Sequence, residues 1–304
     1  MPELPEVETV RRGLASLLPG RIVAATKTYD SPKSFPNNPS DVKAFLIGSS
    51  VREVRRRAKV LMIDFDSAYS LVIHLKMTGQ LVFVKQSRQV AASHGQLNLR
   101  FGAGHPNESL IGNLPDRSTR ASLEFQDGSW LFFNDQRKFG WMKLMPTIEI
   151  SQIDFMKKVG PEPLEDSFTA QQFSDRMRRR NNTTIKAALL DQTVLAGVGN
   201  IYADESLWGA KIHPSTRVRN VSESDLSLLL DELKTVLLLS IEKGGSTDRN
   251  YVNAEGKKGS YIEFARVFRR EGQPCRRHPE NLIEKIRVAG RGTHVCRLCQ
   301  PPPQ

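Results

Sequence analysis

The chain has 304 residues, long for one domain and comfortable for two, and its 39% hydrophobic content is enough for real cores. Lys and Arg number 44 against 33 Asp and Glu, a net charge of +11 that fits a polyanionic partner, nucleic acid before membrane, although charge alone also fits a generally basic protein. With no apolar run of about 18 residues and no charged-then-apolar leader, neither a membrane span nor a secretory signal is expected. The three cysteines, Cys275, Cys296 and Cys299, all lie near the C-terminal end. An odd, clustered set points to a metal site in a reducing, cytoplasmic compartment rather than to a disulfide framework.

The chain opens Met1-Pro2-Glu3-Leu4-Pro5-Glu6-Val7-Glu8-Thr9-Val10. Once Met1 is removed, Pro2 carries a free secondary amine. An α-amino group has a pKa of about 8, so a neutral, nucleophilic fraction exists near neutrality and can form an iminium with an electrophilic carbon. Glu3 is placed to move a proton. The same residues also fit an ordinary helix start, with Pro5 in the first turn and Glu6 and Glu8 near the positive helix end. Val7, Val10, Leu14 and Leu17 or Leu18 then form one apolar face. The two readings are compatible, because a buried helix can hold a reactive terminus in place.

MPELPEVETVRRG, Met1 to Gly13, resembles the start of the formamidopyrimidine-DNA glycosylase family, bacterial-type base-excision repair enzymes that remove oxidised purines. The sister branch, endonuclease VIII, typically has Gly where this chain has Leu4. The resemblance continues in order along the chain to about Gln300, with its main gap at Gln86 to Arg120.

After the first helix come short Val-, Ile- and Leu-rich segments broken by turns. These are Arg21–Tyr29, Val51–Arg57, Val60–Phe65, Ser70–Leu75, Leu81–Lys85, Ala121–Phe125 and Trp130–Phe133, which read as an antiparallel β-sandwich or barrel with the helix packed on it. Lys59 follows the basic run Arg55-Arg56-Arg57, which by itself reads as a solvated or phosphate-facing stretch. The resemblance implies that Lys59 is a second catalytic cation near the lesion. Met77, before Thr78-Gly79, fits a gap-filler or an apolar wedge that replaces an extruded base. The family implies the wedge, completed from Asn134-Asp135-Gln136-Arg137-Lys138-Phe139-Gly140. Arg137 then reads the orphaned base and Phe139 buckles the duplex, though Phe139 equally fits a core aromatic. The stretch Gln86–Pro115 is expected to be an extended surface loop with some strand inside. Where the family has Lys-His-Xaa-His, this chain has Arg117-Ser118-Thr119-Arg120, so Ser118 takes the place of a DNA-contacting His and bonds a phosphate more weakly.

Gly160-Pro161-Glu162-Pro163 punctuates the chain before a helical region: Thr169–Arg180, Ile185–Asp191, Asn200–Trp208 and Ser222–Glu242. Leu229, Leu230, Leu233, Val236, Leu237 and Leu238 give the last helix a packed face. In Leu195-Ala196-Gly197-Val198-Gly199-Asn200, Asn200 can cap the following helix in an ordinary turn, or the turn can cradle a phosphate. GVGNIYADE resembles the family's helix–two-turn–helix motif, which implies that Asn200 binds backbone phosphates and that Lys186 adds a second contact. Arg178, Arg179 and Arg180 add diffuse charge. The polar, Gly-rich stretch from Gly244-Gly245 to Ser260 fits a mobile linker, or by resemblance a lid over the extruded base.

Cys275-x2-His278 and Cys296-x2-Cys299 have the spacing of a tetrahedral zinc ribbon, with a strand expected over Ile283–Val288. The family usually has four cysteines, and here His278 stands in for the second. The expectation is one structural Zn2+ in a Cys3His set, with no catalytic or redox cofactor. Arg291, in Gly290-Arg291-Gly292, falls at the hairpin tip. The resemblance implies that it grips phosphates and supports elimination.

The fold expected is α+β. An N-terminal β-sandwich catalytic domain with flanking helices spans 1–158 and a linker 159–165. A helix–two-turn–helix DNA-binding domain spans 166–264 and a zinc ribbon 265–304. The resemblance implies a bifunctional glycosylase and abasic-site lyase, acting as a monomer in the cytoplasm at the nucleoid. Its substrate is double-stranded DNA carrying 8-oxoguanine or a formamidopyrimidine opposite cytosine. Pro2, Glu3, Lys59 and Arg291 carry the chemistry. Two competitors are a non-catalytic damaged-DNA-binding protein of the same fold and a zinc-ribbon RNA-binding protein.

Overall fold

The structure is a computed structural model that describes residues 2–85, 99–105, 108–246 and 261–303. It divides into two compact units. One holds the residues up to Met156 together with 244–246, and the other holds Lys157–Lys243 and the residues from Tyr261 onward.

The first unit begins with helix α1 (Leu4–Leu17), which has Pro5 in its first turn and the backbone N–H of Glu3 bonded to the Glu6 carboxylate at 2.8 Å. Its apolar face, Val7, Val10 and Leu14, continues into Leu18, and all four are buried. There follow β1 (Val23–Thr28), α2 (Pro39–Phe45), β2 (Val51–Arg57), β3 (Val60–Phe65), β4 (Tyr69–His74), β5 (Gly79–Lys85), β6 (Leu99–Gly104), β7 (Thr119–Phe125), β8 (Trp130–Asp135) and β9 (Trp141–Pro146). The strands pair antiparallel into a five-stranded sheet, β1-β7-β8-β5-β6, and a four-stranded sheet, β2-β3-β4-β9.

Strand alternation builds the core. Leu61, Ile63, Leu71 and Ile73 of one sheet join Leu81, Phe83, Leu131 and Phe133 of the other, and the α1 face packs into the same cluster. The intervening residues are covered as well. Val60, Met62 and Val72 pack against Ile150, while Val82 and Phe132 pack against Leu110. Burial on both faces explains the apolar run Val60–Ile63 that opens β3.

Strand β6 is the strand expected inside the stretch 86–115, whose residues 86–98, 106 and 107 fall outside the described residues. Two other elements differ from the sequence expectation. Strand β9 was not anticipated, because Gly140 and Pro146 mask a short run with polar Lys143 at its centre. Helix α2 rests on an Asn38 cap that accepts from the Ser40 N–H at 3.1 Å, a turn-sized signal in a Pro- and Ser-rich stretch.

The second unit contains most of the helices. After α3 (Asp154–Lys158), where the two units divide, come α4 (Ala170–Arg178), α5 (Ile185–Leu190), α6 (Asn200–Gly209) and α7 (Glu223–Glu242), then the hairpin β10 (Glu284–Val288) and β11 (Arg291–Val295). Thr169, Thr184 and Ser222 cap α4, α5 and α7 through their hydroxyls. Phe173, Met177, Leu189, Tyr202, Leu207, Leu229, Leu233 and Leu237 share one core. Leu238, expected on the packed face of α7, is instead 55% exposed, because it lies off the stripe of Leu226, Leu230, Leu233 and Leu237. Among the described residues no helix is long and apolar enough to cross a membrane.

Gly13 fixes how closely α1 approaches β6: a Cβ there would lie 2.0 Å from the Phe101 ring, whose side chain is 2% exposed. Gly13→Ala should lower stability by about 1–3 kcal/mol through overpacking, read as a fall in melting temperature. Adding Phe101→Leu should recover part of the loss. Equal melting curves for wild type and Gly13→Ala would contradict the close approach.

Candidate functional site

Pro2 and Glu3 are buried at the head of α1, and the Glu6 carboxylate ties them down. One Glu6 oxygen accepts the Glu3 N–H at 2.8 Å, and the other accepts the Ser246 N–H at 2.8 Å. Glu6 therefore also anchors the start of the stretch expected to be a lid, of which only residues 244–246 are described. Gly245, at φ 90°, passes so close that a Cβ would meet Glu6 Cγ at 3.1 Å.

The second catalytic candidate is positioned by an arginine. Arg56 Nε donates to Glu8 on α1 at 3.0 Å, and its Nη1 donates to the Ala58 carbonyl at 2.9 Å. One guanidinium thus joins the first turns of α1 to the two-residue turn, Ala58-Lys59, that connects β2 to β3. Lys59 is 6% exposed. Burial raises the Glu8 carboxyl pKa, but hydrogen bonds from Arg11, Arg12 and Arg56 outweigh it and bring it down to about 2. Burial also lowers the neighbouring His74 pKa to about 3, helped by the Lys76 and Lys59 charges. The run 55–57, read as a phosphate-facing stretch, is committed internally in part: Arg55 pairs with Asp64 at 2.5 Å and Arg56 with Glu8. An acidic residue, Glu8, on the first helix and a run of three arginines on a strand were the available signal for this pairing.

Met77, Arg137 and Phe139 come together on the surface of the same unit. Arg137 Nη1 lies 3.1 Å from Met77 Sδ, and its guanidinium sits 4.8 Å from the Phe139 ring centroid. Met77 is 40% and Phe139 52% exposed, so Phe139 is not a core aromatic. Buried Asp135 shapes the turn, accepting the Gly140 N–H at 2.6 Å, the Arg137 N–H at 3.2 Å and the Thr78 hydroxyl. Ser118 does not share this exposure. It is buried, its hydroxyl donating to Asp116 at 2.7 Å and lying 2.9 Å from the Ser109 hydroxyl. The expected phosphate contact from Ser118 is therefore not presented, and Arg117 beside it is the exposed residue.

In the second unit, Lys186 also departs from expectation. It is completely buried, with Nζ 2.5 Å from Asp204 Oδ1 and 2.6 Å from Thr293 Oγ1. It is an internal strut joining α5, α6 and β11 rather than a surface phosphate contact. Asp204 also accepts the His294 N–H at 2.9 Å. The adjacent Glu205 accepts backbone N–H groups of Arg266, Val267 and Phe268 at 2.8, 2.9 and 2.8 Å, and burial raises its pKa. Sequence reasoning gave these two acids no role. Two adjacent carboxylates in an otherwise apolar helix, which burial tolerates only with partners, were the readable clue.

Asn200 is the first residue of α6 and not its cap, a position held by Gly199. Its Nδ2 donates to the Gly292 carbonyl at 3.0 Å, while its buried Oδ1 has no partner among the described residues. Arg291 follows the turn Ala289-Gly290, whose φ values of 50° and 73° suit a tight two-residue hairpin, and is exposed. Arg178 is engaged by Glu223 at 2.8 Å and by the Val218 and Val221 carbonyls, so it is not diffuse surface charge.

Cys275, His278, Cys296 and Cys299 converge so that their ligand atoms lie within 4.8 Å of one another. Cys275 and Cys299 sulfurs are 3.7 Å apart, and His278 Nδ1 is 3.2 Å from Cys299 Sγ. A tetrahedral ion with bonds of about 2.3 Å to sulfur puts sulfurs about 3.8 Å apart, so the set fits a four-coordinate metal ion. Asn281 Nδ2 donates to Cys296 Sγ at 3.2 Å, a supporting contact of the kind that orients a ligand. Trp208 of α6 packs on this cluster, with the Arg277 guanidinium 3.9 Å from its ring centroid.

A β-sandwich that seats a buried Pro-Glu pair, joined in one chain to a helical unit closed by a metal ribbon, defines a class of DNA glycosylases. Residues 1–142 match the family description "Formamidopyrimidine-DNA glycosylase N-terminal domain", and residues 159–251 match "Formamidopyrimidine-DNA glycosylase H2TH domain". The formamidopyrimidine-DNA glycosylase of Herpetosiphon aurantiacus is 40% identical over 99% of this chain and 100% of its own length. That of Pediococcus pentosaceus is 39% identical over 99% of both chains. A Lactococcus lactis structure described as a complex of Fpg with "an abasic site containing DNA" superposes with a TM-score of 0.82 at 31% identity, covering 99% of this chain and 100% of that one. The chain belongs to the formamidopyrimidine-DNA glycosylase family.

The Glu8 contacts give a pH signature. Its folded pKa is about 2, below the ordinary 4.5, so its stabilisation is complete above pH 4.5 and is lost as pH falls towards 2. Glu8→Gln should cost on the order of 1 kcal/mol at neutral pH, allowing for solvent screening. The gap in melting temperature should close as pH falls below 4.5. A gap that stays constant to pH 3 would show that the carboxylate charge is not what binds Arg56.

Proposed function

We propose that this protein is a bifunctional base-excision DNA glycosylase and abasic-site lyase that removes oxidised purines, 8-oxoguanine and formamidopyrimidines, from duplex DNA. The observation that carries the reading is the buried Pro2-Glu3 pair, held by Glu6 and joined through Glu8 and Arg56 to the turn bearing Lys59.

With Met1 removed, the neutral Pro2 nitrogen attacks C1′ of the damaged nucleotide. The bond from C1′ to the base breaks, and the base leaves with a proton. Glu3 delivers a proton to O4′ as the sugar ring opens, leaving an iminium between Pro2 and C1′. The iminium draws electrons from C2′, so a C2′ proton is removed and the 3′ phosphate is expelled. A second elimination expels the 5′ phosphate, and water hydrolyses the iminium to regenerate the amine. Lys59 and Arg291 hold the phosphates whose charge must be balanced as they leave.

Met77, Arg137 and Phe139 fill the gap left by the extruded base. The Arg137 guanidinium makes paired hydrogen bonds to the orphaned base, which selects cytosine opposite the lesion. Asn200, with a buried oxygen unpartnered among the described residues and an amide already on Gly292, orders the hairpin turn that carries Arg291 and meets the backbone beside it. Cys275, His278, Cys296 and Cys299 would hold one zinc ion per chain, whose contribution would be structural, closing the ribbon, rather than catalytic. The protein acts as a monomer in the cytoplasm.

On a duplex with 8-oxoguanine opposite cytosine, the protein should release the base and cut the strand. Pro2→Gly and Glu3→Gln should each lower single-turnover cleavage by at least about 10²–10³-fold, the scale of a lost nucleophile or acid/base group. Tight binding of this duplex without cleavage by the wild type would instead favour a damage-binding protein. Metal analysis should give one zinc per chain, kept in His278→Cys and lost in His278→Ala together with a lowered melting temperature. Full zinc in His278→Ala would remove His278 from the ligand set.

A further inference from the structure

A cavity of about 560 Å3 opens at the base of the Met77, Arg137 and Phe139 cluster and is unused by the chemistry above. Its size falls within the ~300–1,000 Å3 usual for small-ligand pockets. Met77, Phe139 and Trp141 line it with apolar and aromatic surface, and the three cationic side chains Lys33, Lys76 and Lys138 line it as well. The Asp30 carboxylate meets Lys138 at 2.9 Å, but it is 95% exposed, and water screens such a pair. The combination suits a flat heterocycle carrying negative charge, which is the chemistry of a nucleotide.

The backbone gives an independent argument. Lys76 and Lys138 have φ values of 50° and 57°, the left-handed region that L-residues other than Gly, Asn and Asp seldom occupy. Both are wall residues of this cavity. Lys76 immediately precedes Met77, and Lys138 lies between Arg137 and Phe139. At both turns glycine would be less strained, yet both carry a long cation, and strain kept at paired positions marks a functional surface.

We propose that this cavity receives a nucleotide of the undamaged strand, the neighbour of the orphaned base. Its heterocycle lies against Phe139 and Trp141, and its flanking phosphates against Lys33, Lys76 and Lys138. The proposal rests on the reading that the Met77, Arg137 and Phe139 cluster enters a duplex opened at the lesion. It adds a place for the partner strand to go when that entry disrupts stacking, so damage is recognised on both strands.

The test uses the full-length protein and a duplex with a tetrahydrofuran abasic analogue, which cannot be turned over at a glycosidic bond. 5-Iodouracil is placed in the undamaged strand at the orphaned position and at each neighbour in turn, irradiated, and mapped by tandem mass spectrometry. A neighbour position should crosslink to Trp141 within the tryptic peptide Phe139–Lys143. Trp141→Leu should weaken binding of this duplex about tenfold and abolish the crosslink. Trp141→Phe, which keeps an aromatic wall, should restore affinity, and matched melting curves confirm that both variants are folded. Lys33→Ala should reduce the slope of log affinity against log salt by about 0.9, the value for one lost phosphate contact.

If the wild type still prefers the tetrahydrofuran duplex to an undamaged one but no neighbour crosslinks to Trp141, the receiving pocket is overturned and the glycosylase reading stands. Unchanged affinity in Trp141→Leu overturns it equally. Competition of the crosslink by millimolar free dGMP would make the cavity a mononucleotide site and would also overturn it. Loss of the preference for the tetrahydrofuran duplex would overturn the glycosylase reading itself.

Discussion

The contact between Glu8 and Arg56 is the constraint on which the first unit's site depends. Helix α1 must sit on the sandwich through Val7, Val10 and Leu14, and that apolar seam sets which face is buried more than where the helix stands along its axis. The charge-assisted hydrogen bonds from Arg56 supply direction. One guanidinium reads both the helix and the turn before Lys59, so the buried terminus and the lysine are set by the same group. Glu6, two residues earlier, links residue 246 to the same helix end. A reactive amine is useful only where its partners are fixed before substrate arrives, and the Glu6, Glu8 and Arg56 contacts would supply that fixing for the proposed Pro2 chemistry.

The second unit solves a related problem with buried charge. Asp204 and Glu205 occupy neighbouring positions on α6, one tied to β11 and Lys186, the other to the backbone of residues 266–268. Removing one partner of such a pair strands the other charge, at a cost of about 3–5 kcal/mol. This makes Lys186 more important to the fold of the hairpin than a surface contact would be. Lys186 reaches the Gly292 carbonyl, which also accepts from Asn200, so it supports the turn beside Arg291 from within its own unit.

Much of this was legible from the residues. The period-two segments gave most of the sandwich strands, and the capped apolar segments gave four helices close to their observed ends. The paired x2 spacings gave four ligands that converge, His278 among them. What failed to show was the direction in which individual polar side chains point. Lys186, Arg56 and Ser118 are each polar residues in plausible surface contexts, and each turned inward, Lys186 and Arg56 toward partners distant in sequence and Ser118 toward its near neighbours Asp116 and Ser109. Local pattern cannot report such a partner: Lys186 reaches Thr293, and Arg56 reaches Glu8. Strand β9 was lost for a different reason: Met142 and Leu144 are buried on either side of exposed Lys143, a period-two pattern too short to stand out between Gly140 and the terminal proline. The residues expected to form the wedge were the reverse case. Met77 and Phe139 are large apolar groups left exposed, and only the fold shows that burial has been withheld from them.

The proposed reaction requires the amine of Pro2 to become bonded to C1′ of the damaged nucleotide. The direct measurement is reduction with borohydride during reaction with an 8-oxoguanine duplex, followed by digestion and tandem mass spectrometry of the trapped adduct. One strand per chain is expected, attached at the nitrogen of an N-terminal peptide beginning at Pro2. An adduct carried by Lys59 or another lysine, or no adduct from protein verified to begin at Pro2, would contradict it.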